Sequence, residues 1–195
     1  MFNDLSSPAA LLASRRSGKP RDMVAPGPDD AQLRRILEVA IRTPDHGKLA
    51  PWRFVHVAKD RRGDFAAMLE GAYRAGKPGE EPGRLELEAV HRFATQAPEL
   101  VVVLSSAIEG TKIPVWEQEL SCGAACMNLL LAAHAMGFAG GWVTGWAAYS
   151  PQVLTGLGAS EHERIAGFLF LGTPSIELEE RQRPNMEFVV AQWRP

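Results

Sequence analysis

Three segments of the chain carry side chains whose types and spacing suit ligand chemistry. The first is Arg15-Arg16-Ser17. A guanidinium offers five donors in a rigid fork and the serine adds one more, so the triplet can hold a phosphate or the carbonyl edge of a ring. The same residues also suit a solvated charge pair at a helix end. The second segment runs Arg42-Thr43-Pro44-Asp45-His46-Gly47-Lys48-Leu49-Ala50-Pro51-Trp52. Here a helix breaks before a proline, and a loop bearing Arg, His and Lys leads into a strand, a place where ligand contacts concentrate. His46 can donate to a ligand heteroatom or stand as an exposed loop histidine. The third is Gly137-Phe138-Ala139-Gly140-Gly141-Trp142-Val143-Thr144-Gly145. Its glycines let a backbone approach a flat ligand closely, and its N–H groups and the Thr144 hydroxyl can address polar ring atoms. A tight turn between helix and strand explains the same pattern, and the spacing is not the GxGxxG dinucleotide fingerprint.

Other chemistries find less support. No Ser or Cys stands beside a recognisable base and orienting acid, so no activated nucleophile is read. Cys122 and Cys126 lie four apart on one helical face and read as buried thiols; no His or second Cys pair completes a metal site. His56, His91, His134 and His162 are isolated. The Glu117-Gln118-Glu119 run suits the positive end of a helix dipole.

The elements that must position these segments follow from the hydropathy pattern. With 195 residues, 46% hydrophobic and 23% charged, the chain is expected to form one packed domain over 1–195. A net charge of -2 without a basic patch argues against nucleic acid and against a polybasic membrane anchor. The longest apolar stretch, Ala124 to Ala135, is broken by Asn128 and His134 and falls short of the roughly 18 residues of a membrane span. The opening segment lacks the sustained apolar core of a secretory signal, and two cysteines fit a reducing compartment. A cytoplasmic protein is expected.

Helices are predicted over 5–14, from Pro28-Asp29-Asp30 to Thr43 with Leu33, Ile36, Leu37, Ala40 and Ile41 on one face, over 60–75 and over 84–96. A long helix opens at Pro114 with Trp116, Leu120, Gly123, Met127, Leu130 and Leu131 inward, and a short one covers Pro151 to Leu157. Strands are predicted at 53–58, at Leu100 to Leu104, from Gly140 to Trp146 and at Ala166 to Leu171, with Lys19 to Asp30 as a loop. Without a regular βαβ cadence, the expected architecture is α+β, with helices packed about a central, mostly antiparallel sheet.

Taken in order, these pieces resemble the YdjA-like branch of the nitroreductase family. They are Arg15-Arg16-Ser17, Arg42-Thr43-Pro44-Asp45-His46 to Pro51-Trp52, Pro114-Val115-Trp116-Glu117-Gln118-Glu119, Gly137 to Gly145, and Gly167 to Pro174. The resemblance covers about residues 9–175. It implies a homodimer with two FMN sites at its interface, each lined by both chains. It also implies hydride transfer from NADH or NADPH, through flavin N5, to nitroaromatics, quinones or similar small-molecule acceptors. Carried over residue by residue, Arg15, Arg16 and Ser17 meet the FMN phosphate and ring edge. Arg42 and His46 contact the cofactor, His46 from the partner subunit, and Trp142, Val143 and Thr144 run along the isoalloxazine. Ala132, Ala133, His134, Ala135, Met136 and Gly137 correspond to a nicotinamide-nucleotide contact. No side chain is assigned a catalytic role, since the flavin carries the redox step. Val143 stands where the branch often has a basic residue; Arg181 or Arg183 of the tail can supply that charge or be solvated. The tail, about 176–195, is expected to wrap on the partner. The rival expectation is a flavin-sequestering protein of the same fold with little turnover.

Overall fold

The continuous apolar runs of the sequence become the centre of a five-stranded sheet. The structure is a computed structural model, and it describes residues 3–195. In chain order the elements are α1 (Pro8–Ser14), β1 (Met23–Val24), α2 (Asp30–Ala40), β2 (Trp52–His56), α3 (Arg62–Ala75), α4 (Arg84–Thr95), β3 (Glu99–Ser105), α5 (Val115–Ala135), β4 (Ala139–Val143), α6 (Pro151–Gly156), β5 (Arg164–Pro174) and α7 (Met186–Val189). Every strand pairing is antiparallel: β2 with β3, and β3, β4 and β1 with β5. The expected α+β architecture is therefore what the chain forms.

The two-residue period of the strands sorts their side chains between two cores. Leu100, Val102, Leu104, Phe168 and Phe170 face α3, α4 and α6, where they pack with Phe65, Leu69, Val90 and Val153. Phe93 meets Phe168 and Phe170 edge-on, with ring centroids 5.1 and 5.5 Å apart. Val101, Val103, Leu169 and Leu171 face the opposite way, onto Leu33 and Ile36 of α2 and Cys126, Leu129 and Ala133 of α5. Helices cover both faces, so β3 and β5 cannot alternate polar with apolar residues, and they read as unbroken apolar runs. Helix α2 begins with a reciprocal cap: the Asp29 carboxylate accepts from the Gln32 N–H, and the Gln32 side chain accepts from the Asp29 N–H. Arg62 is buried and donates to the carbonyls of Val57, Ala94 and Pro98, tying β2, α4 and β3 together at one end.

Two expectations are corrected. Met23–Val24 forms a short strand against Pro174 and Thr173 of β5, within the segment expected to be a loop. The inward face of α5 is also different. Its buried residues include Gln118, Ser121, Cys122, Ala125, Cys126, Leu129, Leu130 and Ala133. Of the residues expected inward only Leu130 is buried, whereas Trp116 and Leu120 are 67% and 53% exposed. This helix is apolar nearly all round, so periodicity does not select a face. Packing selects the small side chains, which let the helix lie close to the sheet, and turns the bulky stripe outward. No described helix is long and apolar enough to cross a membrane.

Candidate functional site

Helix α1 is capped by the Ser7 hydroxyl, which accepts from Ala10 N–H at 3.1 Å, and it ends where Arg15 turns extended. The chain leaving it is drawn onto β4 by the Gly18 N–H, which donates to the Gly140 carbonyl at 3.0 Å. A Cβ on Gly141 would lie 2.4 Å from the Gly18 carbonyl oxygen, and one on Gly140 would lie 2.6 Å from Leu130. These glycines are therefore required for close packing within the chain. They hold Arg15 to Lys19 beside Trp142 and Val143.

Between them lies a cavity of about 230 Å³ whose polar wall includes Arg15, Ser17, Lys19 and Arg181. Met127 and Leu130 of α5, with Trp142 and Val143 of β4, make its apolar wall. The Trp142 indole is pinned: its Nε1 donates to the Ala166 carbonyl at 2.9 Å, and a Cβ on Gly167 would overlap its ring. Arg16 donates to the Ser14 carbonyl and pairs with Glu180. Glu180 also accepts from Arg183, at 2.6 Å. Burial, followed by the charges of Arg183 and Arg16, lowers the affinity of Arg15 for its proton, while Glu180 acts the other way. Arg15, Lys19 and Arg181 thus set positive charge beside an apolar wall, with the Arg16–Glu180–Arg183 ion pairs adjoining them. Such a cradle suits a planar ligand bearing a phosphate.

The Arg42 to Trp52 loop is held along α5, from Glu117 to Asn128. The Asp45 carboxylate accepts from the N–H groups of Leu49 and Ala50 at 3.0 and 2.8 Å. Ser121 donates to the Pro44 carbonyl at 2.6 Å, and Asn128 donates to the Thr43 hydroxyl at 2.8 Å. Gly47, Lys48 and Ala50 all have positive φ, at 79°, 55° and 47°. For the two residues other than glycine this conformation costs energy, and it persists because the surrounding bonds over-determine the loop. His46 is exposed, with its Nδ1 2.7 Å from Glu117 Oε2; Arg42 is exposed as well.

One chain brings Arg15, Ser17, Trp142 and Val143 to a common cavity, with Thr144 immediately after the strand. It leaves Arg42 and His46 outside. From Glu117, which holds His46, to Leu130, which lines the cavity, α5 rises about 20 Å. Ala132 and Ala133 are buried in the core beneath the sheet and His134 is buried too, and of that stretch Ala135 and Gly137 are exposed, with Met136 half-buried. Sequence reasoning missed the cavity roles of Lys19, Met127 and Leu130, and the part played by Glu180. The alternation Glu179-Glu180-Arg181-Gln182-Arg183 was the available signal for the last, but it reads equally as a solvated tail.

With this geometry in place, the chain can be set beside known proteins. The profile of the Nitroreductase family matches residues 12–173. YdjA of Escherichia coli strain K12, which bears an NAD(P)H nitroreductase name, is 37% identical over 168 residues, covering 86% of this chain and 88% of that one. A Haemophilus influenzae protein of the same designation is 35% identical over 174 residues, covering 88% and 90%. Among solved structures, a nitroreductase-like family protein of Bacillus cereus superposes with a TM-score of 0.80 at 21% identity, over 96% of each chain. The FMN- and NADPH-dependent nitroreductase NfnB of Sphigopyxis sp. strain HMH superposes with a TM-score of 0.74 at 20% identity, over 97% and 99%.

Proposed function

Because this chain belongs to the nitroreductase family of oxidoreductases, we propose that it is an FMN-dependent enzyme passing hydride from NADH or NADPH to nitroaromatic, quinone or similar acceptors. The observation that carries the reading is the cradle in which Arg15, Ser17 and Arg181 face Trp142 and Val143 across one cavity. Its donor set fits the cofactor: guanidinium and hydroxyl groups for a phosphate, and an aromatic and aliphatic wall for a ring system. Its volume, about 230 Å³, falls below the roughly 300–1,000 Å³ usual for small-molecule sites, as a half-site completed by a second chain should.

Bound FMN supplies the redox chemistry, and the protein supplies binding, orientation and electrostatics. Arg15, Arg16 and Ser17 hold the phosphate and the polar ring edge. Arg181 provides in this chain the positive charge that Val143 cannot. Trp142, locked by its bond to Ala166, with Val143 and Thr144, supports the ring and keeps water from that side. No side chain is needed to move a proton at the reacting atoms; donors near the polar edge stabilise the negative charge that reduction brings.

Homodimerisation completes the site. The uncovered stripe of Trp116 and Leu120 lies on the helix that holds both the cavity and the His46 loop, so pairing through it can carry one chain's Arg42 and His46 to the other's cradle. The tail, about 176–195, passes its own cradle at Glu180 and Arg181 and then wraps on the partner, covering Phe188 and Trp193, which are 85% and 83% exposed in one chain. At the nicotinamide contact, Ala135, Met136 and Gly137 are the accessible members of their stretch. Residues 1–195 act as one unit, and the cytoplasm is its compartment.

Anaerobic mixing of the yellow, FMN-loaded protein with NADH or NADPH tests the reading. The flavin absorption is expected to bleach rapidly and to return when a quinone is added. A flavin that stays oxidised would instead make this a sequestering protein. For the cradle, Arg15→Ala is expected to weaken FMN binding by about 1.5–3 kcal/mol, the worth of a charge-assisted hydrogen bond. Titration of FMN fluorescence reads this directly, and an unchanged affinity removes Arg15 from the site.

A further inference from the structure

We propose that Glu180 is a built-in counter-ion which the flavin phosphate must displace, so that this residue limits both how tightly FMN is held and the margin by which a phosphorylated flavin is preferred. The inference rests on the cradle being an FMN site. Glu180 joins two elements far apart in sequence: its carboxylate pairs with Arg16 at the end of α1 and with Arg183 in the tail. Among the described residues it is the one carboxylate within ion-pair distance of the cluster formed by Arg15, Arg16 and Arg183. Glu179, its neighbour, reaches only the exposed Lys19, at 3.7 Å.

The geometry gives Glu180 the properties of a displaceable group. Its side chain is 48% exposed, whereas that of Arg16 is 19% exposed and anchored to the Ser14 carbonyl. The carboxylate thus covers the open side of a guanidinium that is itself fixed. Residues 176–185 form neither helix nor strand, so moving the carboxylate aside breaks no secondary structure. The influence of Glu180 on the proton affinity of Arg15 supports a shared field.

Charge then decides which ligands win the exchange. A phosphomonoester brings about -1.5 to -2 charges and three acceptor oxygens at neutral pH. It can replace the single carboxylate charge and still add attraction. An uncharged ribityl chain carries no charge to set against the arginines, so its affinity does not depend on whether Glu180 occupies them.

The test compares FMN with riboflavin in binding titrations on wild-type protein, Glu180→Gln and Glu179→Gln. Glutamine keeps the size of the side chain and removes the competing charge. Glu180→Gln is expected to tighten FMN binding about three- to tenfold, in line with the modest strength of a partly exposed ion pair. Riboflavin affinity should not move, and Glu179→Gln should match wild type for both ligands. Thermal melting without flavin verifies that each variant is folded, and Glu180→Ala provides a second substitution expected to shift FMN in the same direction. Weaker FMN binding in Glu180→Gln would make the carboxylate an orienting partner and overturn the proposal, as would an unchanged affinity. Equal tightening of riboflavin would overturn it too, because the effect would not act through the phosphate. A wild-type chain that takes up no FMN would overturn the flavin reading as well, before any variant is compared.

Discussion

Leu120→Arg is expected to yield a folded monomer that no longer retains FMN. Leu120 is 53% exposed in one chain, so arginine there costs the isolated fold little. If this stripe of α5 is the dimer face, the new charge is buried without a partner, at a cost of about 3–5 kcal/mol. That weakens association by roughly two to four orders of magnitude. Light scattering coupled to gel filtration measures the mass, and flavin absorbance of the eluted peak measures retention. Leu85→Arg is the control, since Leu85 is more exposed, at 71%, but lies on α4. It should leave a yellow dimer. A dimeric, flavin-loaded Leu120→Arg would mean that another surface pairs the chains.

The second large effect is a loss of stability on mild acidification. His134 is fully buried at the end of α5, with Nδ1 2.8 Å from the Asn3 side-chain oxygen. Burial, and after it the charge of Arg15, pushes its pKa down to about 4. The folded chain therefore keeps the ring neutral, while the unfolded chain takes up a proton near the ordinary value of about 6.5. Between those values the unfolded state binds more protons. The stabilisation is complete above about pH 6.5 and is lost as the pH falls towards 4, to a total of about 3 kcal/mol. Urea unfolding midpoints from pH 7 to pH 4 follow this decline. In His134→Gln the slope over that window should flatten. A wild-type slope surviving in the variant would assign the titration to another group. Glu163 responds at lower pH: its bonds to Arg53, at 3.0 and 2.9 Å, hold its pKa to about 2, so its contribution disappears only below about pH 4.5.

Much of the scaffold was readable from local pattern. Helix α2 announces itself through Pro28-Asp29-Asp30 at its entry and through Leu33, Ile36 and Ala40 on one face, because start signals and helical period are properties of neighbouring residues. β3 and β5 are legible for a related reason, since strands covered on both faces must be apolar throughout. Val101 and Val102 point to different cores, yet both have to be hydrophobic.

What the sequence by itself determined, then, was the kind of elements, the α+β class and the residue types able to bind a phosphorylated ring. The tertiary structure decided which of them meet. It brought Arg15 and Ser17 beside Trp142, more than a hundred residues later in the chain, through one backbone bond from Gly18 to Gly140. It kept His46 at the other end of α5 and Arg42 out of the cavity, and it turned Trp116 and Leu120 outward although their hydropathy suited the core. It also set Glu180 against Arg16, an ion pair that charge alternation along the tail could not specify. The physical reason is common to these cases. Propensity and capping act between residues a few positions apart, whereas the choice of face, cavity and ion-pair partner depends on surfaces that exist only after the sheet and helices have packed.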